Sequence, residues 1–248
     1  MQDAPTITQH VVAPQGEHRA TLIVLHGFTC YDEHCPVRGW VRALAARLGP
    51  ESFGTLKFVF LIAPMRLISC YGEPRETMCA WHDYFTDHGG DEGRPEIEED
   101  IDVEQLIWCR NRIHEVIEQE ASLLGGDIAK VAIGGQSQGS CVALDAALTL
   151  PPGRTLGGVF ASCGHLYSST PVMPVETVTL PIVAYHGAGD RCIAAGLALR
   201  SYARILDAGY HQFRMHLEPR LGHCEPSKSE GDVLAAALRR CDAPAHKS

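Results

Sequence analysis

Ser137 stands at the centre of Gly134-Gly135-Gln136-Ser137-Gln138-Gly139, inside the pattern G-x-S-x-G. A serine hydroxyl is a poor nucleophile unless it is held exposed beside a base, and a strained turn from a strand into a helix does that holding. The chemistry this would allow is attack on a carbonyl carbon, with an oxyanion and then a covalent acyl intermediate. It requires a base, an acid to orient that base, and two N–H donors for the oxyanion. Gly135 and Gly139 fit the same picture, because such a turn packs strand against helix too closely for side chains.

The flanks agree. A short apolar run at 131–133 enters the motif, and a segment rich in Ala and Leu leaves it as far as Leu150. The runs at 21–25, 57–62, 157–162 and 181–185 are of strand length and nearly continuous in apolar residues, which suits central parallel strands covered on both faces. Residues 7–12 and 212–217 alternate as strands, and helical spacing covers 37–48, 97–124, 193–206 and 228–240. Strands alternating with helices predict an α/β fold, a mostly parallel sheet with helices on both faces. Residues 65–95 lack any period, and an irregular segment of that length is more often functional than idle. The acids between Glu96 and Glu104 read as a solvated helix start favoured by the helix dipole. No linker, repeat or shift in composition divides the chain, so one domain over 1–248 is expected, with its core at about 20–240.

In sheets of this kind the working groups lie at the carboxyl ends of strands, and one known order along the chain is nucleophile, acid, histidine. Of the acids after Ser137, only Asp190 lies in a short loop directly after a buried strand. Asp145 sits on the helix leaving the motif and Asp207 at a helix end. Among later histidines, His216 belongs to an alternating strand, His211 precedes it and His246 lies in the tail. His223 follows that strand in a loop before the last helix. Ser137, Asp190 and His223 form the expected triad. The oxyanion donors would be the N–H groups of Gln138 and of Phe28, in the loop after the strand at 21–25. His26 is a poorer base because it precedes the nucleophile and sits in the turn. In His82-Asp83 the aspartate is expected to brace the irregular segment.

A net charge of −9 over 248 residues argues against nucleic acid and against anionic membrane surfaces. No apolar run approaches the roughly 20 residues of a transmembrane helix. The start, MQDAPTITQH, lacks the basic and apolar regions of a secretory signal, so a cytoplasmic protein is expected. Ten cysteines show no C-x-x-C and no zinc-ligand spacing, which predicts reduced thiols used as apolar filler, with no metal and no cofactor. Cys30, Cys192 and Cys224 lie beside the expected site residues, so oxidation or alkylation there could block the site. Cys163 as nucleophile ranks last, since no cysteine occupies the motif's apex.

The motifs LHGF at 25–28, KFVFLIAP at 57–64, WHDY at 81–84, GGQSQGS at 134–140, HGAGD at 186–190 and LGH at 221–223 run in one order along the chain. In these the chain resembles the acyl-protein thioesterase, lysophospholipase and carboxylesterase family of small α/β hydrolases. The resemblance implies an α/β-hydrolase fold without a large cap domain, acting on acyl esters or thioesters of small molecules, lysolipids or acylated proteins. It implies the same triad and the same oxyanion donors. Thr29 and Cys30 are expected at the acyl pocket, and Trp81 is expected either to wall that pocket or to serve as packing. The chain departs from the family after Phe28 and between Pro64 and Trp81, in the loops that would line that pocket. The alternative from another class is a small-molecule receptor that keeps the scaffold with little turnover.

Overall fold

A computed structural model of the chain describes residues 5–28, 54–72, 77–175 and 180–241. Among these residues the strands are β1 (Thr8–Val12), β2 (Ala20–Leu25), β3 (Leu56–Ile62), β4 (Met65–Leu67), β5 (Thr77–Cys79), β6 (Val131–Gln136), β7 (Gly158–Ser162), β8 (Ile182–Gly187) and β9 (Phe213–Glu218). The helices are α1 (Val103–Leu123), α2 (Gln138–Leu148), α3 (Ala195–Asp207) and α4 (Lys228–Cys241).

The continuous apolar runs become strands because their residues alternate between two apolar layers. Ile23, Val59, Ile133, Ala161 and Ala184 join the layer packed on α1, α2 and α3. Leu22, Phe58, Ala132, Phe160 and Val183 join the layer on the other face, where Leu234, Ala235 and Leu238 of α4 pack. The result is a seven-stranded sheet in the order β1-β3-β2-β6-β7-β8-β9, parallel except for β1, which pairs antiparallel with β3 at one edge. This is the α/β-hydrolase architecture, and no cap domain is present among the described residues.

Topology positions the site. From β2 the chain passes to β3 on one side, whereas β6 to β9 build outward on the other. The order therefore switches between β2 and β6, and the loops after these strands diverge around a crevice at their carboxyl ends. β2 and β6 are direct neighbours, with Leu25 opposite Gly135. Phe28 and Ser137 consequently leave the sheet side by side.

Three expectations need adjustment. The helix expected over 97–124 begins at Val103, where the Asp102 carboxylate accepts from the Gln105 N–H and caps it. Most of the preceding acids lie in an irregular stretch and have specific partners: Glu99 accepts from the Thr86 hydroxyl and from the N–H groups of His88 and Gly89, and Glu98 accepts from Ser168. The segment over 65–95 is less irregular than its sequence suggests, because β4 and β5 pair as a small antiparallel sheet. The helix expected over 37–48 lies outside the described residues. No helix among the described residues is long and apolar enough to cross a membrane.

The crossing of β2 with the turn after β6 is backbone on backbone. A Cβ on Gly135 would sit 2.5 Å from the Gly139 carbonyl and 2.7 Å from that of Leu25, and one on Gly139 would sit 2.2 Å from the His26 carbonyl. None of these neighbours is a side chain that could turn away. Gly139→Ala is expected to destabilise the protein by roughly 1–3 kcal/mol or more. Gly153→Ala, where the strain is a positive φ at an open turn, is expected to cost less, about 1 kcal/mol. Denaturant midpoints of the two variants check the ranking.

Candidate active site

Ser137 occupies a single-residue turn between the end of β6 and the start of α2, with φ 53° and ψ −126°. A non-glycine residue in this region is strained by roughly 1–3 kcal/mol. Backbone hydrogen bonds hold it there: its N–H donates to the Ser162 carbonyl at 2.8 Å, and its own carbonyl accepts from Ser140 at 2.9 Å and Cys141 at 3.2 Å. The strained turn aims the hydroxyl out of the sheet edge.

The hydroxyl meets His223 Nε2 at 2.9 Å, and His223 Nδ1 lies 2.8 Å from Asp190 Oδ2. An ionised carboxylate only accepts, so Nδ1–H donates to Asp190 and Nε2 is left to accept the serine proton. The other carboxylate oxygen, Oδ1, accepts from the N–H groups of Cys192 and Ile193, each at 2.9 Å. Burial pushes the Asp190 carboxyl up, but its interactions with His186 and His223 outweigh this and hold it well below the usual carboxylate range. Ser137, Asp190 and His223 are thus brought together as their sequence positions predicted.

Competing residues are engaged elsewhere. Asp145 is fully buried, paired with Arg110 at 2.7 Å and accepting from Thr170 at 2.6 Å. His211 and His216 are exposed. Asp83 accepts from the Ser69 N–H at 2.7 Å and hydroxyl at 2.6 Å, and so braces the preceding loop as expected. The His26 ring is fixed in the turn: Ala63 N–H donates to Nε2 at 3.0 Å, leaving Nδ1–H to donate to the Gly27 carbonyl at 2.6 Å. Its burial lowers the pKa.

Gln138 opens α2, so its N–H is among those without an intrahelical acceptor. Its buried side chain does separate work that sequence reasoning missed. Oε1 accepts from the Trp81 N–H at 2.9 Å, Nε2 donates to the His82 carbonyl at 3.1 Å, and the Trp81 indole N–H donates to the His26 carbonyl at 2.8 Å. One chain of hydrogen bonds therefore ties the start of α2 to the loop carrying Phe28. Trp81 itself is fully buried within the core, which favours packing over a place in the wall of the acyl pocket. With its N–H on the His26 carbonyl and its ring against the His26 ring, 5.2 Å between centroids, the indole is a brace. The Phe28 ring instead packs against Tyr71 and edge-on to Tyr84. Thr29 and Cys30 lie outside the described residues.

The thiols differ from one another. Cys192 is exposed, and partial desolvation together with the Asp190 charge pushes its thiol up to about 11. Cys163 is buried at the end of β7 and held down at about 6, chiefly by hydrogen bonding with Cys224. Both Cys163 and Cys224 have positive φ.

Comparison with known proteins places this geometry in context. A family model described as phospholipase/carboxylesterase matches residues 7–235. Acyl-protein thioesterase 1 of Saccharomyces cerevisiae is 28% identical over 188 residues, covering 74% of this chain and 75% of that one. In three dimensions the chain is similar to Arabidopsis thaliana SOBER1, with a TM-score of 0.71 and 22% identity over 90% of this chain and 99% of that one. It is equally similar to Zea mays acyl-protein thioesterase 2, with a TM-score of 0.70 and 23% identity over 95% and 99%.

Beneath the turn, Ser162 Oγ–H donates to Glu230. Burial raises the Glu230 carboxyl from 4.5 to about 7, and the neighbouring Cys163 adds to the rise. A carboxyl raised on folding contributes its full stability below about pH 4.5 and loses it as pH rises through 7. At about 1.4 kcal/mol per unit the loss is at most about 3 kcal/mol. Glu230→Gln removes this dependence, so the variant is expected to gain on the parent by about 1–3 kcal/mol at pH 8 and by little at pH 5. Urea unfolding at the two pH values reads the difference, and parallel pH dependences would contradict it.

Proposed function

Since the chain belongs to the phospholipase/carboxylesterase family, we propose that it hydrolyses carboxylic esters or thioesters of acyl groups through an acyl-enzyme on Ser137. The observation that carries this reading is the unbroken relay from Ser137 Oγ through His223 to Asp190, at 2.9 and 2.8 Å. Support for the acyl group as substrate comes from the family and from the yeast relative named acyl-protein thioesterase 1.

In this mechanism His223 Nε2 takes the Ser137 proton as Oγ attacks the acyl carbonyl carbon. Asp190 fixes the Nδ1–H tautomer and stabilises the imidazolium. The N–H groups of Phe28 and Gln138 receive the oxyanion, each such donor being worth roughly 10²–10³-fold in rate. The tetrahedral intermediate expels the alcohol or thiol with the proton from His223. Water then attacks the acyl-enzyme, His223 taking its proton, and the carboxylic acid leaves as Ser137 is regenerated. Every step uses groups of this chain, so the reading needs no metal or cofactor. Family and neighbours support one catalytic unit across the chain, with an acylated small molecule, lysolipid or protein as its partner.

Ser137→Ala is expected to lower kcat for a p-nitrophenyl ester by on the order of 10⁴-fold or more, with an unchanged circular dichroism spectrum. The parent should release a burst of p-nitrophenol equal to the enzyme present and carry a fluorophosphonate adduct on Ser137. Ester hydrolysis surviving in the alanine variant would remove Ser137 from the mechanism.

A further inference from the structure

The acid of the relay is held by two histidines. His186, next to last in β8, is fully buried. Its Nε2 donates to the Ile193 carbonyl at 2.8 Å and lies 3.3 Å from Asp190 Oδ2. The Ile193 N–H in turn donates to Asp190 Oδ1 at 2.9 Å. His186, Ile193 and Asp190 therefore close a ring, and Oδ2 is bracketed between Nε2 of His186 and Nδ1 of His223. The remaining nitrogen of His186, Nδ1, is buried without a partner among the described residues. An unpaired buried polar atom is destabilising, and an apolar side chain of similar size would avoid the penalty. Retaining histidine there makes sense if its Nε2–H has a task.

We propose that His186 is a positioning residue for hydrolysis, fixing the plane of the Asp190 carboxylate and sharing the charge of Oδ2 with His223. This rests on the reading of Ser137, His223 and Asp190 as the reacting triad. The titratable groups facing this pair are His223 from the loop before α4, Cys163 and His165 after β7, and Cys192 on the Asp190 loop, with Glu98 and Glu99 acting on His165 from ahead of α1. Of these only His223 hydrogen-bonds Asp190 Oδ2 among the described residues, through Nδ1 at 2.8 Å, so none takes the place of His186 Nε2.

The consequence has a definite sign. With His186 present, its Nε2, whose N–H is donated to the Ile193 carbonyl, also lies 3.3 Å from Oδ2 and takes part of the charge that faces His223. With it removed, the whole charge faces His223, its imidazolium is stabilised, and the base requires a higher pH to lose its proton. The ring through Ile193 also opens, so the carboxylate can turn and kcat falls. His186 lies beneath the triad and has no exposed surface for substrate, so KM should hold.

The test compares His186→Leu, His186→Asn and His186→Gln in the full chain, using a p-nitrophenyl ester, its pH profile, thermal unfolding and fluorophosphonate labelling. Leucine removes the donor. The asparagine amide is too short to reach as Nε2 does, and it keeps the slot polar should the leucine variant fail to fold. The glutamine amide can stand where Nε2 stands. Leucine and asparagine variants should lose kcat by roughly 10–100-fold, the usual effect of losing a group that orients a reacting one. Their KM should stay within about twofold, and the acid limb of kcat/KM should move up by roughly half to one pH unit. Glutamine should restore both. Folded leucine or asparagine variants with the parent's kcat and acid limb, or a loss of kcat that leaves the limb in place and is not rescued by glutamine, would overturn the role of His186. A parent that neither hydrolyses the ester nor takes the fluorophosphonate would overturn the triad reading itself, and this proposal with it.

Discussion

Contact between main chain and main chain at the end of β2 and β6 is the constraint on which the site depends. Gly135 and Gly139 lie against the carbonyls of Leu25 and His26 with no room for a methyl group. That approach lets α2 start directly over the sheet edge, and every residue of α2 is buried. It also sets how closely the loops that follow β2 and β6 leave the sheet. The strained backbone of Ser137 exists because the surroundings over-determine it. Strain of roughly 1–3 kcal/mol is opposed by three backbone hydrogen bonds, each worth about 0.5–1.5 kcal/mol.

The parts legible in the sequence are those set by local pattern. Strands covered on both faces read as unbroken apolar runs. β2, β3 and β7 were found to within one residue, whereas the ends of β6 and β8 were read three and two residues short. Asp190 and His223 were legible because each sits in a loop directly after a strand, where order and position leave few rivals. What was not legible depended on partners distant in sequence. The start of α1 was misplaced because the acids before it look alike, and only Asp102 has the geometry to cap. Glu99 is committed to Thr86, His88 and Gly89, which no spacing rule announces. β4 and β5 are three residues each and are defined by pairing with one another. Trp81 was left open for a related reason. A tryptophan in an irregular segment looks like a wall for a ligand until its neighbours are known, and here they are Gln138 and His26.

Histidines crowd this edge of the sheet, and hydrogen bonding decides which of them can act as a base. A general base must be reachable, must have a lone pair free for the proton, and must tolerate the charge it acquires. His82 is fully buried, hydrogen-bonded to Tyr167, and its pKa is lowered to about 4 by burial. His26 accepts from Ala63 through the nitrogen that would take a proton. His165 is buried, and burial lowers its pKa too. His186 has the carboxylate nearby, but its Nε2–H is spent on the Ile193 carbonyl and it has no exposed surface. His223 alone among these meets the three conditions. Its side chain is 21% exposed, Nε2 faces the serine, and Asp190 stands behind Nδ1 to stabilise the charge. The surrounding histidines use the same donor and acceptor chemistry as fixed struts, and burial keeps His26, His82 and His165 from competing for the proton.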